Sequence, residues 1–106
     1  MKIQQDGDTL FVGGIKELDA ASAFPFQENV NAAATEGVKN VEIDLSQTVF
    51  LDSCGLGALV ALRKTLGERG GVVRLLNPTP SARQILELTR LHRIFEITRR
   101  ETVGAG

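Results

Sequence analysis

A chain of 106 residues, 42% hydrophobic and 24% charged, has the composition of one soluble globular domain over 1–106, long enough to close a core without metal or disulfide help. Twelve basic against thirteen acidic residues leave a formal net charge of −1, so no long-range field favours direct contact with nucleic acid or an anionic membrane. No apolar run approaches the roughly 18–20 residues needed to insert in a bilayer, the N-terminus lacks signal-peptide order, and a single cysteine with a single histidine excludes an internal disulfide and a cysteine-rich zinc site. The cytoplasm is the expected location, with no cofactor or metal.

Ile3 and the alternating Leu10-Phe11-Val12 flank Gln5-Asp6-Gly7-Asp8, and Asp-Gly between apolar segments predicts an N-terminal hairpin. From Ser22 to Glu36, Phe26, Val30 and Ala33 recur at helical spacing. Ser22 is the expected cap of that helix and Gly37 its expected end, and Pro25 falls in the first turn, where its missing N–H costs nothing. Val41, Ile43 and Leu45 then predict a strand with one buried face, and an apolar cluster returns at Val49-Phe50-Leu51. A second helix begins near Ser53, with Leu56, Leu59, Val60 and Leu66 as its apolar side and Gly70-Gly71 as its stop. Val72 to Leu76 reads as a buried parallel strand, and Asn77-Pro78-Thr79-Pro80 turns into a third helix that buries Ala82, Ile85 and Leu86. Ile94-Phe95-Glu96-Ile97 fits an edge strand, and Val103-Gly104-Ala105-Gly106 reads as a frayed end.

Helices alternating with strands after a hairpin define the α/β class: a mixed, mostly parallel sheet of four to five strands, about three to four helices, and two successive β-α-β units. Such sheets carry their sites at the carboxyl ends of strands, which directs attention to the stretch after Leu45. There Asp52-Ser53-Cys54-Gly55-Leu56-Gly57 places two glycines in the opening turns of a helix, each at a cost of roughly 1 kcal/mol. Either another backbone packs closely against them or a partner docks there. Ser53 suits the helix N-cap, and a phosphate on a capping serine would meet free N–H groups and the positive end of the helix dipole. It would add about −1.5 to −2 charges to a mild surface.

Two motifs, Glu17-Leu18-Asp19 with Ser22-Ala23 and Phe50-Leu51-Asp52-Ser53-Cys54-Gly55-Leu56-Gly57, resemble in order and spacing the bacterial anti-sigma factor antagonists of the STAS superfamily. Leu88-Thr89-Arg90-Leu91 followed by Phe95-Glu96-Ile97 is similar to that family's closing signature, so the resemblance runs from the hairpin through Ile97. It implies a single STAS domain that switches partners. The unphosphorylated antagonist binds a GHKL-type anti-sigma factor kinase, that kinase phosphorylates the motif serine, here Ser53, and a phosphatase resets it. Asp19, Asp52, Cys54, Gly55, Leu56 and Gly57 are the positions that the resemblance assigns to the partner-binding surface. The chain departs from the pattern at Lys16, where glycine is common, at Cys54, where a second serine is frequent, and after Thr98, where the closing helix is shortened or missing.

Ser53 and Cys54 at a helix start could suggest a nucleophile, but no arranged base accompanies them, so an enzyme is not expected. Asp44 and Asp52 could suggest Mg²⁺, yet nothing else supplies phosphate chemistry. Gly67 to Gly71 lacks the lysine and hydroxyl residue of a phosphate-binding loop, and His92 reads as a helix-end residue. Arg83, Arg90, Arg93, Arg99 and Arg100 are interleaved with acids and read as a solvated face. The alternative to the antagonist reading is another STAS role, an accessory subunit of an ABC-type lipid transport complex. Ser53 and the intact Gly-Leu-Gly run favour the antagonist.

Overall fold

The computed structural model describes residues 1–100. Strands β1 (Lys2–Asp6) and β2 (Thr9–Gly13) form the expected hairpin, with Asp6 opposite Thr9 and Gly7 at φ +62°, a backbone region that glycine enters without strain. Next come β3 (Glu17–Leu18), helix α1 (Ala23–Ala33), β4 (Asn40–Asp44), β5 (Phe50–Leu51), helix α2 (Ser53–Glu68), β6 (Val72–Leu76), helix α3 (Pro80–Leu88), a 3-10 turn over Leu91–Arg93 and β7 (Glu96–Thr98).

The main sheet has five strands in the order β1-β2-β4-β6-β7, antiparallel at the hairpin and parallel elsewhere. Three β-α-β crossovers build it, one more than the two read from the sequence, because β7 extends the sheet beyond β6. That edge strand starts at Glu96, later than expected: the 3-10 turn occupies the chain before it, Phe95 turns into the core and Ile94 stays exposed.

Alternation sorts the residues of the sheet. Leu10 and Val12, Val41 and Ile43, Val73 and Leu75 share the face that α1 and α2 cover, where Phe26, Val30, Leu59, Leu62 and Leu66 complete the core. Gln4, Phe11, Glu42, Arg74 and Glu96 form one cross-strand row on the opposite face. Arg74 pairs there with Glu96 at 2.5 Å and Arg100 with Glu42 at 2.5 Å, while Arg83 pairs with Glu87 along α3. Of the five arginines read as a solvated face, Arg83 and Arg100 thus pair with acids, while Arg90, Arg93 and Arg99 are exposed without an ion pair among the described residues.

Several local expectations change. Ser22 precedes α1 but its side chain does not cap the helix; the hydroxyl turns back to Asp19 and Glu17. α1 ends at Ala33, four residues before Gly37, whose φ is not positive. Val60 is 37% exposed and lies off the buried side of α2, which Ala58 and Leu62 fill instead. Of the Val49-Phe50-Leu51 cluster only Leu51 is buried. α2 does end where two glycines follow, with Gly70 at φ +75°. No helix among the described residues follows Thr98, and Val103-Gly104-Ala105-Gly106 lies outside them.

Candidate functional site

The two sequence motifs, more than thirty residues apart, meet in a second, two-stranded sheet in which β3 pairs with β5, Glu17 beside Phe50 and Leu18 beside Leu51. Lys16 enters that arrangement through its carbonyl, which accepts the Val49 N–H at 2.9 Å, while its side chain is exposed. Next to it, buried Thr48 donates its hydroxyl to the Ile15 carbonyl at 2.7 Å. The backbone reversal comes two residues before Lys16, at Gly14 with φ +67°. Lysine in place of glycine is therefore accommodated without strain.

Asp52, not Ser53, is the N-cap of α2. Its Oδ1 accepts the Gly55 N–H at 3.0 Å, and its extended backbone, φ −115° and ψ −174°, is the usual cap conformation. Ser53 is pushed into the first helical position with its side chain exposed. The reason is reach: the carboxylate is one atom longer than the hydroxyl and offers a second oxygen. That second oxygen, Oδ2, accepts the Ala20 N–H at 3.1 Å from a residue 32 positions earlier. The Asp52 N–H adds a bond to the Leu18 carbonyl at 3.2 Å. A single aspartate thus caps a helix and clasps the loop after β3 to it.

Asp19 organises that loop from inside. Its Oδ1 accepts the Ala21 and Ser22 N–H groups, each at 3.1 Å, and lies 2.9 Å from the Ser22 hydroxyl. The Ser22 hydroxyl and backbone N–H hold the Asp19 carboxyl below its ordinary value of 3.8, since each bond favours the charged form. The oxygen of Ser22 in turn accepts the Asp19 N–H at 3.0 Å.

The two glycines of α2 answer the question their sequence poses in opposite ways. A Cβ on Gly55 would stand 2.0 Å from the Leu18 carbonyl oxygen and 2.7 Å from its carbon, so only glycine lets α2 lie against β3. A Cβ on Gly57 would meet nothing within 4 Å, and the residue is exposed. Leu56 is buried core, 7% exposed, and anchors the first turn from below. Cys54 is a free, exposed thiol.

The structure therefore brings Asp19, Asp52, Ser53, Cys54, Gly55 and Gly57 to one region, with Leu56 beneath it. Beyond the carboxylates of Asp19 and Asp52, the first turns of α2 add no charge: no residue from 53 to 62 is ionisable apart from Cys54. Ala20, a partner in the clasp, carries no sequence signal, and Val49 and Phe50, read there only as part of an apolar cluster and a motif, stay exposed. Asp44, by contrast, sits apart, bonded to the Ser46 hydroxyl at 2.8 Å. His92 is half-buried in the 3-10 turn, its Nδ1 3.4 Å from the Leu86 carbonyl.

The sequence family described as the STAS domain matches residues 1–105. An anti-sigma-B factor antagonist of Listeria monocytogenes is 31% identical over 88 residues, covering 83% of this chain and 75% of the relative. One of Bacillus subtilis is 26% identical over 102 residues, 96% of this chain and 93% of its own. The solved structure of the anti-sigma factor antagonist SpoIIAA in its unphosphorylated form superposes with a TM-score of 0.83 at 20% identity, over 98% of this chain and 90% of SpoIIAA, and shows the shared fold. The chain belongs to the STAS domain family and, with these relatives, to its anti-sigma factor antagonists.

Proposed function

We propose that this protein is a partner-switching antagonist: unphosphorylated, it binds a GHKL-type anti-sigma factor kinase through the start of α2 and the loop clasped to it, and phosphorylation of Ser53 releases it. The observation that carries the reading is the placement of Ser53, exposed on the first turn of a helix whose next residues carry no charged side chain and whose start is tied to the loop after β3 by Asp52. Gly57, one turn further along the same exposed ridge, leaves room for a partner to approach the helix backbone. Phe50 and Val49, just before the cap of α2, add exposed apolar area at its approach.

Because Asp52 holds the capping position, a phosphate on Ser53 stands beside an existing carboxylate, near the unpaired N–H groups of the first turn. The helix end tolerates the added anion, while a partner seated on the first turns of α2 meets a bulky, hydrated dianion. A penalty of about 3–4 kcal/mol would weaken the complex by roughly 10²–10³-fold, enough for a switch. A phosphatase acting on phosphorylated Ser53 restores binding. The protein itself performs no catalysis in this scheme, contacts no nucleic acid and inserts in no membrane; it acts in the cytoplasm, where sigma factors work.

The test is capture of partners from host lysate by the wild type, Ser53→Ala and Ser53→Asp, quantified by mass spectrometry. A GHKL kinase retained by the first two and lost by Ser53→Asp supports the switch. An ABC ATPase held equally by all three would replace it with a transport role.

A further inference from the structure

β1 is the outer strand of the main sheet and pairs only with β2, so its second row of backbone N–H and C=O groups has no ladder partner among the described residues. Such an edge is a template for another strand unless its side chains oppose pairing. Lys2-Ile3-Gln4-Gln5-Asp6 carries a base at one end, an acid at the other and no charge between. Both charged residues are exposed and neither forms an ion pair among the described residues.

Antiparallel pairing of two such strands, with Gln4 of one opposite Gln4 of the other, sets each Lys2 against the other copy's Asp6. Directly opposed unlike charges stabilise a strand pair, and like charges destabilise it. A parallel register would stack Lys2 on Lys2 and Asp6 on Asp6. Alternation is also preserved: Lys2, Gln4 and Asp6 lie on the open face with Phe11, Ile3 lies on the helix-covered face with Val12, and a twofold axis normal to the sheet keeps both faces continuous.

We infer that β1 is a contact surface for a second copy of this chain, joining two five-stranded sheets into one across a twofold axis. Five residues from each copy bury less than the roughly 1,200 Å² of a stable complex, so the association is weak and depends on concentration. The contact uses no residue of the Ser53 surface, and its failure would leave the partner-switching reading untouched.

Sedimentation equilibrium at low ionic strength over a concentration series tests it. The wild type is expected to rise from monomer toward dimer mass. Lys2→Asp or Asp6→Lys alone places like charges at both ends of the contact and should weaken association about tenfold or more. The double exchange Lys2→Asp with Asp6→Lys restores the complementarity and should restore the dimer. In the wild type, deuterium exchange at the outward amides of β1 should slow as concentration rises. A monomer at every concentration, indifference to the single reversals, or a double exchange that recovers nothing would overturn the inference, as would exchange rates that ignore concentration.

Discussion

Two glycines stand two residues apart in α2 and serve different ends. Gly55 faces inward, where the Leu18 carbonyl occupies the space a side chain would need; Gly57 faces outward, where nothing occupies it. The same residue type with the same helix penalty is explained once by the fold and once by a surface that the fold leaves open. The lesson is that a helix-weakening glycine points to function only where packing fails to account for it.

The largest way to break this contrast is Gly55→Ala. The obstructing atoms are backbone and cannot rotate aside, so the substitution should cost about 3 kcal/mol or more in urea denaturation and push β3 away from α2. An unchanged midpoint would mean the close approach is not real. Asp52→Ala should follow at about 1–2 kcal/mol, because it removes the cap, and the Ala20 bond goes with it. Asp52→Asn keeps an acceptor and should lose less. Gly57→Ala should move the other way, gaining about 0.5–1 kcal/mol of stability while weakening kinase binding, measured by calorimetric titration. A variant more stable and still fully binding would remove Gly57 from the docking surface.

The smallest effect sharpens the contrast in pH. Hydrogen bonds to the charged form lower the folded-state pKa of Asp19, so its contribution is complete above the ordinary value of 3.8 and is lost as pH falls through the lowered value. The difference in Tm between wild type and Asp19→Asn should therefore hold steady from about pH 5 to 7 and shrink below pH 3.8. A difference that grows on acidification would show that another group supports the loop.

Much of this was legible in advance because periodicity is a direct imprint of burial. The hairpin at Asp6-Gly7, the parallel strand over Val72–Leu76, exposed only at Val72 among its apolar residues, and the start of α2 all follow from local pattern. The cap falls on Asp52 and not on Ser53 because serine and aspartate side by side are both good caps, and only the distant Ala20 N–H makes the two-oxygen residue the better choice. α1 ends earlier than its pattern predicts: Ala33 and Ala34 continue the helical period, but Ala34 already leaves the helical conformation, and it and Val38 are buried. The β3–β5 sheet was invisible for a similar reason: two-residue strands have no period, and their pairing is a long-range fact.

That pairing has a consequence for how the chain is made. Ala20 and Asp52, 32 positions apart, meet only after the chain between them has closed a loop, an entropic cost met by the folding of α1 and β4 within it. A nascent chain exposes Ser53 early, yet the clasped surface around it exists only once the β-α-β unit has closed. Any molecule that must touch both sides of the clasp can therefore recognise only the folded polypeptide.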